Sequence, residues 1–455
     1  MNSHSSIEYR RAGLFTALVA LIGIVGDGWS QRHTGLLHQF LILPFTILFA
    51  ITLSLLLFAQ PSASPAPPWT PRRALVVAIL FELAFIALFL HECKRFAFLG
   101  YTLHPVVAAI FFLAVLLALG YLAFLPAAKP IWIFAVSFAA YIGGLLIAIF
   151  SFPLTYLRSD MMPVILWADT NLLHHIDPYT TMHVGDRIYD FPYLPGMIVA
   201  FLPFTAAHLD IRFGTIAYVA ASAALIYWAA RADRRREVAA LLAIFLVCPY
   251  LQYRHELYLS PHWLTLVAVF VLMQRKHFAW AAFICGISMG IYQFSWIVVP
   301  FVLLNGFRRR GWLEAAKLAL LAIIGALLIT GPFLASAMHR IANNAVGQWG
   351  QSVAHATAEP MNLSYWVTYL IHPDKLLRLQ AALMIVIFLY CFAKKRCATL
   401  EDTLRWINVA LTLFIMLNVL VDGYFYLMLL VPLLIYTCIA NGWWSEPHPA
   451  TTRHT

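Results

Sequence analysis

The chain has 455 residues, of which 62% are hydrophobic and 11% are charged, and its mean hydropathy is +0.80. This excludes an ordinary soluble globular domain, in which about 25% of the residues are charged. The net charge of +10 does not indicate a nucleic-acid partner, because the basic residues form short clusters between apolar segments, as in the cytoplasmic loops of membrane proteins.

The apolar segments predict an all-α fold, a polytopic membrane bundle of about 12 to 15 spans. Helices are expected because lipid offers the backbone no hydrogen-bond partners. The segment 196–209 is short and contains Pro203. Because a crossing there would place Arg231 to Arg236 outside, we expect it to be re-entrant or interfacial. The predicted spans are 12–27, 37–59, 74–91, 104–125, 131–153, 213–231, 237–250, 261–274, 279–293, 295–306, 312–335, 377–394, 405–420 and 424–440.

A proline-rich stretch at 60–73 predicts a stiff cytoplasmic linker. We divide the chain into an N-terminal transmembrane module of four spans (1–128), a transmembrane core (129–441) that carries an extracytoplasmic loop at 154–195, and a polar cytoplasmic tail (442–455). The 6 cysteines are scattered and form no CxxC pair, so neither a zinc site nor a disulfide framework is indicated.

The loop at 154–195, here called the acidic loop, carries five of the 20 acidic residues of the chain. Acidic groups are costly near lipid and usually mark a site or a water-filled cavity. This loop is therefore the expected position of any chemistry. Its acidic residues are Asp160, Asp169, Asp177, Asp186 and Asp190.

Local patterns give the acidic loop an internal order. Residues 160–175 predict a short interfacial helix with Ser159 as its N-cap. Asp177-Pro178-Tyr179 predicts a turn, because Asp suits its first position and Pro fixes φ at its second. The aromatic segment 191–195 then leads an extended chain back toward the membrane.

This order resembles the first large extracytoplasmic loop of GT-C glycosyltransferases, specifically the family-87 enzymes that use polyprenol-phosphate-mannose. The resemblance covers residues 131–440. The motifs that carry it are Asp160-Met161-Met162-Pro163-Val164, His175-Ile176-Asp177-Pro178-Tyr179 and Tyr193-Leu194-Pro195-Gly196. The chain differs from the family at the glycine before D-P-Y, at Y-P-P-L, and at a central Lys-x-x-Pro, where Tyr292-Gln293-Phe294-Ser295 stands.

The resemblance implies an inner-membrane enzyme that moves a sugar, expected to be mannose, from a lipid-linked donor. The acceptor would be a lipid, a glycan or a protein on the extracytoplasmic face, and no cofactor is implied. Asp160 would be the general base. Asp177, Tyr179 and Tyr193 would bind substrate. Asp169 is a further candidate, although its spacing from Asp160 places it on the opposite side of a helix.

Partners for the donor phosphate are proposed from topology. Arg254 and His255 lie on a predicted external loop, where charge is rare enough to suggest a function. His262 and Arg340 are further external candidates. The alternative for Arg254 is a self-contained ion pair with Glu256 or another acidic residue of the loop.

Other interpretations of these residues remain open. Asp160 could simply solvate the loop or cap a helix, and Asp27 at the end of the first span is a rival base. A metal site at His174, His175 and His183 is not indicated, because these histidines lack the i,i+4 spacing of a helical metal pair.

Two functions of other classes compete with the transferase. A secondary transporter would show two related halves and charged residues at mid-span. Here the halves show no similarity, and Glu82 is the main acidic residue within a span. A membrane assembly subunit without a site is the third possibility.

Overall fold

The computed structural model describes residues 3–24, 36–58, 69–95, 105–125, 128–156, 161–184, 187–253, 257–343, 363, 367, 370–418 and 423–444. Its α-helices are α1 (Ser3–Ile24), α2 (Leu36–Phe58), α3 (Pro71–Arg95), α4 (Pro105–Phe124), α5 (Pro130–Ser151), α6 (Met161–Leu173), α7 (Pro195–Ala206), α8 (Arg212–Ala229), α9 (Arg235–Leu246), α10 (Pro249–Tyr253), α11 (Ser260–Gln274), α12 (Phe278–Ile291), α13 (Ser295–Arg310), α14 (Trp312–Ile341), α15 (Pro373–Ala393), α16 (Leu400–Leu417) and α17 (Leu430–Ala440). Short 3-10 helices cover Ala232–Arg234 and Gly423–Leu429. A two-stranded antiparallel sheet pairs β1 (Met182–Val184) with β2 (Arg187–Tyr189).

The predicted helical class is confirmed. In the described residues, five helices are long and apolar enough to cross a membrane, namely α3, α4, α5 and parts of α14 and α15. Large apolar side chains such as Leu117, Phe124 and Leu328 are more than half exposed, as lipid-facing positions require. The protein is therefore a multi-pass helical membrane protein by the length and composition of its helices. The count of about 12 to 15 spans stays a prediction.

Helices α5 and α8 are antiparallel, and the excursion between them, which carries the acidic loop and α7, begins and ends at one end of this pair. The rings of Phe134 and Tyr227 stack with centroids 4.5 Å apart where α5 begins and α8 ends. At the other end, the guanidinium of Arg212 donates to the carbonyl oxygens of Phe152 (2.8 Å) and Ile149 (3.2 Å). The chain thus leaves α5 and enters α8 at the same end of the bundle.

Helix α7 lies within this excursion and has 12 residues. At 1.5 Å per residue it is about 18 Å long, shorter than the hydrocarbon core of about 30 Å. Its length and the shared end of α5 and α8 agree with the prediction that residues 196–209 do not cross.

The basic loops gather at the opposite end, here called the basic end. The backbone N–H of Arg231 donates to the carbonyl oxygen of Trp443 (2.8 Å), and Trp443 lies against Trp69 with ring centroids 6.0 Å apart. Arg11 pairs with Glu401 (3.4 Å). These contacts join the end of α8 and the region after α17 to the beginnings of α3 and α16.

Four tryptophans at helix ends beside the basic loops are unusually exposed. Trp132, Trp228, Trp280 and Trp312 have exposed fractions of 59%, 65%, 63% and 69%. Tryptophan is enriched where a helix meets the membrane–water interface, and basic residues are enriched in cytoplasmic loops. The combination is typical of helix ends at a membrane–water interface.

The N-terminal helices share one hydrophobic core with the rest of the bundle. Phe49 of α2 makes an edge contact with Tyr426 (centroids 5.2 Å apart). The hydroxyl of Tyr436 in α17 donates to the carbonyl oxygen of Leu57 (3.2 Å). The hydrophobic core therefore continues across the domain boundary predicted at residue 128. The boundary itself stays a prediction.

Helices α12 and α14 touch backbone to backbone because glycines line their crossing. A Cβ added to Gly286 would lie 1.9 Å from the carbonyl oxygen of Ala322, and one added to Gly325 would lie 2.2 Å from that of Phe283. Small residues permit such close approach of membrane helices. The close packing of α14 against α12 thus depends on the absence of a Cβ atom at Gly286 and Gly325.

Gly286→Ala is expected to force α12 and α14 apart and to lower the stability of the purified protein by about 1–3 kcal/mol, as overpacking does. Gly331→Ala in the same helix pair is the control, because a Cβ there meets nothing within 4 Å. The measurement is the melting temperature in detergent. Equal melting temperatures for the two variants would contradict the proposed crossing.

Candidate functional site

Part of the predicted site lies outside the described residues. These positions are Asp160, Arg254 and His255, together with the rival acid Asp27. The helix predicted at 160–175 is present as α6 (Met161–Leu173), and its position at the membrane interface stays a prediction. The remaining predicted residues are described, and they fall into two groups.

The first group is the turn at Asp177, which forms as predicted. One carboxylate oxygen of Asp177 accepts the backbone N–H of Tyr179 (2.9 Å), and the other accepts Arg340 Nη1 (2.7 Å). The Asp177 carbonyl accepts the backbone N–H of Thr180 (3.2 Å). This is an Asx turn, which Asp forms with its own backbone two residues on. Asp177 and Arg340, 163 positions apart, are thus brought into direct contact.

Tyr179 fixes the return of the acidic loop. Its hydroxyl donates to the carbonyl oxygen of Tyr193 (3.0 Å), and its ring meets Phe191 edge-on (centroids 5.2 Å apart). Burial, and then the Asp177 charge, raise the pKa of Tyr179 above its usual range. The hydroxyl is therefore a neutral donor that is used within the loop.

Tyr193 continues this contact into the bundle. Its ring lies 4.7 Å from that of Tyr258, which lies 5.9 Å from that of Tyr292. Tyr292 stacks on Phe294 (5.2 Å) at the α12–α13 junction. We call Tyr193, Tyr258, Tyr292 and Phe294 the aromatic path. Sequence reasoning missed Tyr258, since one tyrosine beside a span carries no distinguishing signal.

The second group surrounds His262, an external candidate in the sequence that the structure buries in a helix. His262 lies in the first turn of α11 and is 2% exposed. Pro261, which lacks a backbone N–H, suits the first turn of this helix. His262 Nδ1 lies 3.1 Å from Ser288 Oγ and 2.9 Å from Ser295 Oγ. Its ring centroid is 5.5 Å from that of Tyr292, which joins this cluster to the aromatic path.

Asp169 is buried between α6 and α7. Its carboxyl oxygen Oδ2 accepts the Thr205 hydroxyl (2.8 Å), whereas Oδ1 has no partner among the described residues. Burial raises the pKa of Asp169 from 3.8 to about 8, although the Thr205 bond acts in the opposite direction. The side chain is fully buried and therefore packs between the two helices without facing solvent.

Asp169 is expected to make native stability fall with pH. Because its native pKa exceeds the unfolded value of 3.8, the native state binds the proton more tightly. The free energy of unfolding therefore falls as pH rises from about 4 to about 8. Each unit by which the native pKa exceeds the unfolded pKa corresponds to ~1.4 kcal/mol. Asp169→Asn should remove this slope. The measurement is the melting temperature between pH 5 and 9, with exposed Asp190→Asn as control. If melting temperature changed with pH in the same way in wild type and in Asp169→Asn, the prediction would be contradicted.

A buried arginine at the base of the loop was also missed from the sequence. Arg212 is 2% exposed and forms two bonds with the Asp210 carboxylate, Nε–Oδ1 at 2.9 Å and Nη2–Oδ2 at 2.6 Å. Its remaining bonds go to the last carbonyls of α5. This side chain therefore satisfies the carbonyls at the end of α5 and joins that end to the start of α8.

A second buried acid lies away from the acidic loop. Glu82 of α3 accepts the side-chain amide of Gln252 (3.3 Å) and is fully buried. Gln252 also lies against α5, since a Cβ on Gly144 would come 2.6 Å from its Oε1. Ionisable residues within membrane helices usually have a function.

The described part of the chain contains no group of three or more His, Cys, Asp or Glu residues that could hold a metal. Comparisons of the chain with protein-family models, with curated proteins and with solved structures give no significant match. The function must therefore be inferred from the residues of the site.

Proposed function

We propose that the protein is a membrane glycosyltransferase of GT-C type that moves a sugar, mannose in the favoured case, from a polyprenyl phosphate to an acceptor hydroxyl. The reaction would take place on the extracytoplasmic face of the inner membrane. The observation that carries the proposal is the turn at Asp177-Pro178-Tyr179. The motif that resembles the family forms an ordered turn, which Arg340 and the Tyr193 carbonyl hold.

In this reaction the acceptor oxygen attacks the anomeric carbon of the sugar while Asp160 takes the hydroxyl proton. A new glycosidic bond forms, and the bond between the sugar and the phosphate oxygen breaks. Polyprenyl phosphate leaves as a stable anion, so no second acid is needed. Asp160 directly precedes α6, whose first residues are packed in the core.

The leaving phosphate requires a cationic partner, and Arg340 is suited to this role. Its side chain is 49% exposed and already binds one carboxylate, that of Asp177. A guanidinium forms equally good paired bonds with carboxylate and phosphate oxygens. Arg254 and His255 are further proposed partners on the chain segment that leads to Tyr258.

The test is transfer by the isolated protein. Purified chain in lipid nanodiscs would receive radiolabelled polyprenyl-phosphate donors that carry mannose, glucose or arabinose, together with a panel of lipid, glycan and peptide acceptors. We expect a labelled acceptor and free polyprenyl phosphate in equal amounts. No turnover with mannosyl, glucosyl or arabinosyl donors would contradict the proposal.

The buried Glu82–Gln252 pair favours a second candidate, a secondary transporter. Transport would require a mid-span carboxyl that binds or releases a proton. Counterflow of a labelled sugar in proteoliposomes, lost on Glu82→Gln and without any covalent product, would support transport over transfer.

A further inference from the structure

Two runs of three consecutive basic residues meet at the basic end. Residues 308–310 end α13, and residues 394–396 follow α15. The guanidinium of Arg308 donates to the carbonyl oxygen of Phe392, and Arg309 Nε donates to that of Ala398 (3.3 Å). We call residues 308–310 and 394–396 the basic cluster. These hydrogen bonds therefore hold the two halves of the cluster together.

Aromatic rings orient the arginines of the basic cluster. Phe307 and Phe392 stack with centroids 5.8 Å apart, and the Arg308 guanidinium lies 5.2 Å and 5.1 Å from the two rings. Arg309 and Arg310 lie over Phe278 at 5.5 Å and 5.1 Å. A guanidinium held on a ring keeps its edge available for oxygen acceptors. The arrangement is thus preorganised to bind an anion.

Nearby acidic residues do not neutralise the cluster. Glu314 pairs with Arg310 (3.3 Å). Glu401 instead pairs with Arg405 (2.9 Å) and Arg11 (3.4 Å). Asp402 accepts the backbone N–H of Cys397 (2.7 Å) and pairs with Arg405 (3.4 Å). Of these three carboxylates, one binds a residue of the cluster, so the six basic side chains keep an excess of positive charge.

The surface beside the basic cluster is apolar and belongs at the membrane interface. Helix α14 begins and α15 ends at the cluster, and both pack against α13. Exposed apolar side chains continue from the cluster along both helices, with Leu320 at 57% and Leu389 at 55%. The exposed Trp312 and Trp280 mark the level of the lipid headgroups.

We infer that the basic cluster and this apolar surface bind an anionic phospholipid of the cytoplasmic leaflet. The headgroup phosphate would accept bonds from the basic side chains of 308–310 and 394–396, while the acyl chains would lie along α14 and α15. Arginine suits such a phosphate because its fork makes two parallel bonds. The site lies at the end opposite the acidic loop and is independent of the proposed transferase reaction.

The test compares lipid retention by two variants with equal charge loss. The cluster variant carries Arg310→Gln, Lys394→Gln, Lys395→Gln and Arg396→Gln, and keeps Arg308 and Arg309 because their side chains join the two halves of the cluster. The control carries Arg72→Gln, Arg73→Gln, Lys129→Gln and Arg231→Gln, which are exposed basic residues outside the cluster. Native mass spectrometry would count phosphatidylglycerol and phosphatidylcholine retained from mixed micelles.

Wild type and control are expected to retain phosphatidylglycerol in preference to phosphatidylcholine. The cluster variant should lose at least about tenfold in phosphatidylglycerol affinity, since each basic residue near an anionic surface contributes measurably. An equal loss of phosphatidylglycerol affinity in both variants would show that lipid binding depends only on net charge, and this would overturn the proposed site. Inorganic phosphate that competes at millimolar concentration would identify a soluble-anion site instead. If the cluster variant fails to elute as a single species, Arg310→Gln with Lys394→Gln gives the same comparison.

Discussion

Asp160→Asn is expected to reduce sugar transfer by about 10²–10⁴-fold, the usual contribution of a general base. Asparagine keeps the size of the side chain but cannot take the acceptor proton. Binding of the donor should change little, because the proposed phosphate partners are other residues. The measurement is initial rate against donor concentration, with the loss expected in kcat and KM nearly constant.

Asp190→Asn is the matched control for this prediction. Asp190 belongs to the same loop, is exposed, and accepts a hydrogen bond from the Thr181 hydroxyl (3.0 Å). Its loss should leave the rate unchanged. Asp27→Asn tests the rival base. Full activity in Asp160→Asn together with a large loss in Asp27→Asn would transfer the role to Asp27.

The positions of the helices could be predicted because the backbone of an apolar segment in lipid must satisfy its hydrogen bonds internally, which an α-helix does. The prediction 261–274 corresponds to Ser260–Gln274, and 131–153 corresponds to Pro130–Ser151. The predicted span 424–440 is instead divided into the 3-10 helix Gly423–Leu429 and α17. Pro432 lies at this division, and its lack of an N–H removes one α-helical hydrogen bond.

The candidate site was predictable where its contacts are local. The turn at Asp177 follows from D-P-Y alone, because the carboxylate bonds to the backbone two residues on. Its ion pair with Arg340 spans 163 positions and depends on how α14 packs. The burial of His262 beside Ser288 and of Asp169 beside Thr205 depends on helix packing in the same way.

The largest effect on stability is expected from Arg212→Gln. The substitution removes both bonds to Asp210 and both bonds to the last carbonyls of α5, which have few other partners at a helix end. We expect a loss of about 3 kcal/mol, at the low end of the range for a broken buried ion pair, because Asp210 is 25% exposed. Arg212→Lys should recover only part of this stability, since an ammonium lacks the guanidinium fork.

The chain supplies a matched control in Arg231→Gln. Arg231 and Asp233 have the same spacing as Arg212 and Asp210, but their side chains are 48% and 58% exposed. An exposed pair of this kind stabilises a protein little, so the melting temperature should not change. Equal melting temperatures in Arg212→Gln and Arg231→Gln would contradict the assigned role. Arg212 joins both ends of the excursion that carries the acidic loop. Its loss should therefore also reduce the rate of sugar transfer at temperatures below the melting temperature, although Arg212 itself does not contact the substrate in the proposed mechanism.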